Sequence, residues 1–346
     1  MEKFEQNDLT GKQMSRKKFL RTCGSIVAGG AILGVSGVSI KNSWKANPNA
    51  GANAGNILFS RDDAFASPYR LVSSFSLPGK IEGMDLYNDE VFVAGSGHVS
   101  VFDVYGKKLH LFDIEKGVRD IVADYGAIYL LYPAKIAVYS RNGEMIREWE
   151  ACSELSDYCS FALASGFVFA TDVSNKNICQ YTTEGNFVRF INSPNRFIIP
   201  SYTFGIEHVD GVLFCSNPGR HQVEKYSLNG EYLGAFGKPG AAPGFFTGCC
   251  NPVYLSYTLN GDIITSEKGD PRISCYSPDG KFKSILLDSK NLGGGNTAYD
   301  MKVRNDKIFV AGEKQVSIFH YDNTQASNSA CSSCKTGCPL REGVTI

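Results

Sequence analysis

Residues 212–236 read VLFCSNPGRHQVEKYSLNGEYLGAF, and this stretch contains the repeated unit from which the fold is predicted. A strand-like run at 212–215 precedes an aromatic residue, Tyr226, and Gly230 follows four positions later, where a second strand-like run opens. The Leu-Asn-Gly string at 228–230 supplies the glycine that a tight hairpin needs at positive φ. The stretch therefore predicts antiparallel strands joined by short turns.

The same aromatic-to-glycine unit occurs five times, and Phe319 begins a sixth copy that breaks off. Strands and turns that recur at intervals of 37, 42, 45 and 50 residues are typical of propeller blades. We therefore predict an all-β fold, a six-bladed β-propeller. The five complete copies are Phe102 to Gly106, Tyr139 to Gly143, Tyr181 to Gly185, Tyr226 to Gly230 and Tyr276 to Gly280.

The sixth predicted blade lacks a fourth strand, because the strand pattern ends after the run around residues 316–319. An unassigned strand-like run, residues 69–77, lies ahead of the first blade. Pairing these two runs removes the exposed sheet edges that promote aggregation. We predict that an N-terminal strand closes the ring and that the propeller occupies residues 69–322.

The connector between two predicted blades resembles that of NHL-repeat propellers. Residues 236–246 contain FGKPG and PGFF, and residues 266–273, SEKGDPRI, resemble the family's loop between the second and third strands. Arg272 matches the usual arginine of that loop, whereas Gln222 replaces it in the preceding blade. The resemblance is strongest in residues 205–288 and implies the architecture alone, because propellers carry many unrelated activities.

The composition is that of one globular domain. A hydrophobic content of 43% can fill a large core, and 36 glycines against 13 prolines indicate many turns. Residues 1–54 hold eight Lys and Arg against three Asp and Glu, so the remaining chain, with 27 basic and 32 acidic residues, has a net charge of −5. This mildly acidic body argues against nucleic-acid binding.

The N-terminal residues 1–54 have the order of an export signal. The basic string SRKKFLR at 15–21 precedes an apolar run at 26–40 and a group of small residues before position 55. The string resembles the twin-arginine pattern, with Lys17 in place of the second arginine. We predict an exported, periplasmic protein with a linker at 55–68. The alternatives are the general secretory route and an uncleaved signal that anchors the chain to the membrane.

One face of the predicted ring carries longer loops. The innermost strand of a propeller blade comes first, so the loops between second and third strands share a face with the blade-to-blade connectors. On this loop face, blades three to five have three extra residues each. Because scaffold loops usually carry binding residues, we predict that this region binds a protein partner or a small ligand. The predicted site residues are Asp172, Asn217, Arg220, His221, Glu267, Lys268 and Arg272.

Three cysteines near the C-terminus, Cys331, Cys334 and Cys338, have a C-x2-C-x3-C-P spacing. This spacing resembles the last three cysteines of the bacterial ferredoxin pattern, with an asparagine where the first cysteine would be. Thiolates at such intervals can converge on one iron–sulfur cluster or one zinc ion. Cys249 or Cys250 is then the candidate for the fourth ligand.

Other arrangements of the thiols stay open. In an exported protein the ten cysteines beyond the signal can form disulfides, two on each face. A cluster can also form without the tail, residues 323–346, or the tail can dock to a redox partner. The thiols of the cluster without the tail are Cys152, Cys159, Cys249 and Cys250. The cysteines in strand runs, to which we assign a structural role as small buried hydrophobes, are Cys179, Cys215 and Cys275.

Three classes of function follow. The leading one is a non-catalytic exported propeller that binds a partner or ligand on the loop face. The cysteine patterns favour an electron-transfer or thiol-redox component as the alternative. A propeller lactonase or lyase needs several carboxylates and histidines around a central metal, but only Glu207 and His208 lie on a probable inner strand. Since successive strand residues point to opposite sides, only one of these two can face the channel.

Overall fold

The computed structural model describes residues 67–294 and 296–322, which form six antiparallel four-stranded sheets. The first strands of neighbouring blades contact one another around the ring, so they line a central channel. Each sheet then continues outward through its second, third and fourth strands. The predicted six-bladed β-propeller is confirmed.

The strands are as follows. Blade one contains β2 (Gly83–Tyr87), β3 (Glu90–Gly95), β4 (His98–Asp103) and β5 (Lys108–Asp113), and blade two contains β6 (Asp120–Ala123), β7 (Ala127–Tyr132), β8 (Lys135–Ser140) and β9 (Met145–Glu150). Blade three contains β10 (Tyr158–Ala164), β11 (Phe167–Asp172), β12 (Asn177–Thr182) and β13 (Phe187–Ile191). Blade four contains β14 (Ile206–Val209), β15 (Val212–Asn217), β16 (Gln222–Ser227) and β17 (Tyr232–Phe236), and blade five contains β18 (Tyr254–Tyr257), β19 (Ile263–Glu267), β20 (Arg272–Tyr276) and β21 (Phe282–Leu287). Blade six contains β22 (Asp300–Arg304), β23 (Lys307–Ala311), β24 (Gln315–Tyr321) and, as its outer strand, β1 (Tyr69–Ser76).

The ring closes through β1, which pairs antiparallel with β24. Tyr69 lies opposite Tyr321 and Phe75 lies opposite Val316, with one register shift between them. The first and last strands of the propeller therefore share one sheet. This confirms the predicted closure by the N-terminal strand.

The apolar core is divided among the six interfaces between neighbouring blades. Between blades one and two, for example, Phe92 and Val101 of one sheet pack with Ile128 of the next, and all three are fully buried. Equivalent clusters occupy the other five interfaces, including the one between blades six and one. Each blade is thus stabilised by both of its neighbours, which makes closure of the ring necessary for burial.

The repeated glycine is explained by a contact between blades. Gly143 has φ +87°, and a Cβ at this position would lie 2.4 Å from the ring of Phe112, which belongs to the outer strand of the preceding blade. The glycine therefore serves both the hairpin turn and the packing of the neighbouring sheet. The corresponding contacts in the other blades join Gly106 to Phe75, Gly185 to Trp149, Gly230 to Ile191 and Gly280 to Phe236.

Helical structure in the described residues is limited to a 3-10 turn at Pro218–Arg220 and a short helix, α1 (Ser289–Leu292). Within this part of the chain, no helix has the length and apolar character that crossing a membrane requires. The predicted signal, most of the linker and the cysteine-rich tail lie outside the described residues. The predictions of export and of a tail metal site therefore stay predictions.

Candidate functional site

The loop face has the asymmetry that the sequence indicates. The loops between second and third strands contain two residues in blades one and two, at 96–97 and 133–134. In blades three to five they contain four residues, at 173–176, 218–221 and 268–271. The connectors that enter blades four, five and six are also longer than the others.

Three of the predicted ligand-binding residues on this face are fully buried. Asp172, Asn217 and Glu267 occupy the same position, the last residue of the second strand, in three successive blades. The side chain of each accepts a hydrogen bond from the connector that enters its own blade, so it anchors that connector. The donors are the backbone N–H groups of Asp157, Ile198 and Thr247, at 3.2, 2.9 and 3.0 Å.

The other four predicted residues also contact the connectors. Arg272 pairs with the buried Glu267 (Nε to Oε1, 2.5 Å), and its Nη1 donates to a connector carbonyl. Lys268 Nζ donates to Ser201 Oγ at 2.7 Å. Arg220 Nε and His221 Nε2 each lie within hydrogen-bond distance of a connector carbonyl. Internal hydrogen bonds thus account for this polar set, and binding on the loop face stays a prediction.

A second group of charged residues lies in the central channel. Lys302 of β22 places its Nζ 3.2 Å from Glu207 Oε2 and 3.5 Å from Asp85 Oδ1. Asp85 belongs to blade one and Glu207 to blade four, which are on opposite sides of the ring. One ammonium therefore bridges two carboxylates across the channel.

The channel carboxylates also join neighbouring inner strands. Asp85 Oδ2 accepts the Ala123 N–H of blade two at 2.8 Å. Asp300 Oδ2 accepts the Met84 N–H of blade one at 3.0 Å, and Asp120 Oδ2 accepts the Phe161 N–H of blade three at 3.3 Å. These bonds connect blades six, one, two and three in sequence. These acidic side chains therefore hold neighbouring blades together by hydrogen bonds, in addition to giving the channel its negative charge.

Burial in the channel changes the ionisation of these groups. It raises the pKa of Asp120 to about 7, with help from the charge of Asp300, and the pKa of Asp300 to about 6. Burial raises the pKa values of Asp85 and Glu207 as well, against the opposing effect of Lys302. For Lys302 burial lowers the pKa, but the surrounding carboxylates outweigh it and raise the pKa above its usual range. The lysine is therefore charged, and carboxyl groups outnumber it four to one.

The channel opens into a cavity of about 600 Å³ on the face opposite the loop face. We call this the hairpin-face cavity, because its mouth is formed by the hairpins between first and second strands. Asp85, Glu207 and Lys302 form its floor. Its walls and rim are mixed: polar and charged side chains, among them Asp124, His208 and Arg304, alternate with apolar and aromatic ones. The apolar and aromatic contributors are Leu86, Tyr87, Val122, Tyr129, Leu163, Phe167, Tyr257 and Leu259. Deeper in the channel, a small chamber contains Asp120, Ser160, Tyr254 and Asp300.

Glu207 and His208 have different partners, but both line the hairpin-face cavity. Glu207 meets Lys302 in the channel, whereas His208 Nε2 accepts the Gly211 N–H at 3.0 Å. Sequence reasoning did not identify Asp85, Asp300 or Lys302 as site residues. Among the described residues, no group of three or more His, Cys, Asp or Glu side chains is arranged to hold a metal ion. At the channel floor, the Lys302 ammonium provides the positive charge between carboxylates.

The described cysteines are distributed over both connectors and strands. Cys249 and Cys250 place their sulfurs 2.9 Å apart in the connector that enters blade five. Cys159 Sγ donates to the Tyr202 carbonyl, whereas Cys152 Sγ lies 3.2 Å from Cys179 Sγ. Cys152 and Cys159 therefore have different partners. The predicted tail ligands, Cys331, Cys334 and Cys338, lie outside the described residues.

Comparison with known structures agrees with the propeller architecture. A streptogramin B lyase structure matches with a TM-score of 0.56 at 14% identity, covering 73% of this chain and 98% of that one. A catalytically inactive virginiamycin B lyase from Staphylococcus aureus, with quinupristin, matches with a TM-score of 0.53 at 14% identity, over 73% and 99% of the two chains. A protein of unknown function from Bacteroides thetaiotaomicron matches with a TM-score of 0.54 at 13% identity, over 73% and 74%.

At these identities the likeness shows the fold alone. Neither a protein-family model nor a curated protein matches the sequence. The resemblance to NHL repeats therefore stays a prediction, while the six-bladed propeller is established. A propeller of this kind is consistent with a binding or scaffold role.

Proposed function

We propose that this propeller binds a small molecule with a positively charged group and an apolar body in the hairpin-face cavity. The observation that carries the proposal is the cavity floor, where Lys302 bridges Asp85 and Glu207. A volume of about 600 Å³ is within the range of small-molecule sites, roughly 300–1,000 Å³. The fold places this concave surface at the axis, where all six blades contribute.

The charge of the floor favours a cationic ligand. Asp85 and Glu207 share one ammonium, and Asp120 and Asp300 lie deeper in the same channel. Buried carboxylates are stabilised by nearby positive charge, because they have lost much of their hydration. Lys302 carries one positive charge, whereas Asp85 and Glu207 carry two negative charges when both are ionised. An ammonium or guanidinium group that enters from the cavity supplies a second positive charge. An anionic ligand meets net repulsion at the same place.

The rim favours an apolar or aromatic body on the same ligand. Tyr87, Tyr129, Phe167 and Tyr257 line the cavity together with aliphatic side chains. Tyr257 is 42% exposed, so part of its ring is available to a ligand. Aromatic rings stack with flat apolar groups and attract cations over their faces. The cavity therefore combines an acidic floor with aromatic and aliphatic side chains on its wall.

Titration calorimetry with three matched probes tests the proposal. Phenethylamine, 2-phenylethanol and phenylacetate share one aromatic ring and differ in charge. We expect binding in the order amine, alcohol, acid, and a loss of about tenfold in amine affinity in Glu207→Gln, equal to roughly 1.4 kcal/mol. Circular dichroism checks that the variant is folded.

Glu313→Gln is the matched control, because Glu313 is exposed and lies outside the cavity. Its affinity for phenethylamine should equal that of the unchanged protein. The proposal is wrong if the alcohol or the acid binds as tightly as the amine. It is also wrong if Glu207→Gln and Glu313→Gln weaken binding equally.

A further inference from the structure

We propose that Cys152 and Cys179 form a thiol–disulfide exchange site that reacts with small disulfides, with Cys152 as the attacking thiol and Cys179 as the resolving thiol. The two sulfurs lie 3.2 Å apart, although 26 residues separate them in the chain. Cys152 is in the connector that enters blade three, and Cys179 is in β12, the third strand of that blade. This proposal is independent of the ligand site in the channel.

The two thiols differ in access to solvent. Cys179 is fully buried, whereas Cys152 is only partly buried. A disulfide in solution can therefore reach Cys152 first. Cys179 Sγ lies close enough to Cys152 Sγ to form a disulfide with it after a small movement. An attacking cysteine beside a resolving cysteine has this arrangement.

Hydrogen bonds around Cys152 favour its thiolate form. The hydrogen bond with Cys179, followed by those with Tyr181 and Tyr158, lowers the pKa of Cys152 against the opposing effects of burial and the charge of Asp172. The pKa of Cys179 is raised by the same interaction and by burial, so this sulfur keeps its proton. Tyr158 Oη lies 3.7 Å from Cys152 Sγ and 2.5 Å from Tyr181 Oη. The thiolate is the nucleophilic form of cysteine.

The reaction balances in two displacements. The Cys152 thiolate attacks one sulfur of a small disulfide RSSR, forms a mixed disulfide and releases RS⁻. Cys179 Sγ, after loss of its proton to the released thiolate or to water, attacks Cys152 Sγ and releases the second RS⁻. Two electrons pass from the cysteine pair to RSSR, and two RSH molecules leave. The protein gains one Cys152–Cys179 disulfide.

The other close pair does not fit this role. Cys249 and Cys250 are adjacent in sequence, and adjacent Cα atoms are about 3.8 Å apart across a trans peptide. Disulfides usually join Cα atoms that are roughly 4.4–6.8 Å apart, so a bond between these two is strained. The hydrogen bond with Cys250 also raises the pKa of Cys249. Cys249→Ser is therefore the matched control variant.

Peptide mapping after exposure of the reduced full chain to oxidised glutathione tests the proposal. Acid quenching and alkylation trap the products, and trypsin cleaves at Lys176, between Cys152 and Cys179. A second protease that cleaves after glutamate separates Cys152 from Cys159 at Glu154. We expect a cross-link between Cys152 and Cys179 that dithiothreitol reverses. Its formation should raise the Tm by roughly 5 °C.

Variants distinguish the two roles. In Cys179→Ser, the reaction should stop at a mixed disulfide between Cys152 and glutathione. In Cys152→Ser, neither position should react. Cys249→Ser should leave the cross-link between Cys152 and Cys179 unchanged. Cross-linking of Cys152 to another cysteine, or full oxidation of Cys152 to a protein disulfide in Cys179→Ser, overturns the proposal. So does a Cys152 that stays reduced while Cys249 reacts.

Discussion

Lys302 of blade six lies 3.2 Å from Glu207 of blade four, and the same ammonium reaches Asp85 of blade one at 3.5 Å. This contact crosses the channel between strands that are not hydrogen-bonded to one another. It therefore holds the inner rim of the ring together and sets the charge at the floor of the hairpin-face cavity. Lys302 therefore contributes both to the closed ring and to the proposed ligand site.

Replacement of the lysine should destabilise the protein. Lys302→Met leaves Asp85 and Glu207 without their shared cation, and breaking a buried ion pair from one side costs about 3 kcal/mol. Lys314→Met, at an exposed position, should change the free energy of unfolding by less than about 0.5 kcal/mol. Urea denaturation measures both values. An equal effect of the two variants would show that the channel bridge does not stabilise the fold.

The channel carboxyls should make stability depend on pH. Burial raises the pKa of Asp120 to about 7 from its usual 3.8, so the folded state holds a proton that the unfolded state releases. The stabilisation from this group is fully present below pH 3.8 and is lost as the pH rises through about 7.

Asp120→Asn removes this titration. Relative to the unchanged protein, the variant should gain about 2–4 kcal/mol of stability between pH 4 and pH 8. The control is Asp89→Asn, because the side chain of Asp89 is 63% exposed. Denaturant unfolding at several pH values gives the comparison. A constant difference between Asp120→Asn and the unchanged protein would contradict the assignment.

Alanine substitutions at two glycines distinguish the stability cost of backbone strain from that of packing between blades. Gly143 and Gly166 have φ values of +87° and +80°, but a Cβ on Gly143 overlaps Phe112, whereas a Cβ on Gly166 has no neighbour within 4 Å. Gly166→Ala should cost about 1–2 kcal/mol for the backbone alone. Gly143→Ala should cost about 2–4 kcal/mol, because the overlap adds to it. Equal losses in thermal unfolding would mean that the contact with Phe112 is unimportant.

The tail cysteines predict one iron–sulfur cluster or one zinc ion, with Cys331, Cys334 and Cys338 as ligands beside Cys249 or Cys250. Iron, sulfide and zinc analysis of anaerobically purified protein should find the metal, and Cys338→Ser should lose it. Cys152→Ser should keep it. Metal-free protein with disulfide-linked tail cysteines would support the disulfide alternative. Loss of metal in Cys152→Ser would favour the cluster without the tail.

The fold was predictable because its signal is local. The aromatic residue and the glycine of each repeat fall within one hairpin, so the blades can be counted along the sequence. Closure followed from one missing and one unassigned strand, and Tyr69 indeed lies opposite Tyr321. The contact that the glycine makes, such as Gly143 with Phe112, involves the preceding blade and was not predicted.

The channel site was not predictable in the same way. Asp85, Glu207 and Lys302 come from three blades, and nothing in the sequence of any one strand indicates that the three side chains meet. Only the closed ring brings them together. Conversely, Asp172, Asn217 and Glu267 look like exposed loop residues in the sequence, but they are buried anchors of the connectors. All three occupy the last position of the second strand in their blades. This repeated position indicates a common role in anchoring the connectors.

The hairpin-face cavity, with Glu207 and Lys302 at its floor, is the proposed ligand site. A crystal soaked with 4-bromophenethylamine shows whether a ligand binds there, because anomalous scattering locates the bromine without bias. We predict bromine near the aromatic rim and the ammonium about 3 Å from Glu207 or Asp85. Bromine on the loop face, or an empty cavity at a concentration that saturates binding in solution, would contradict this assignment of the ligand site.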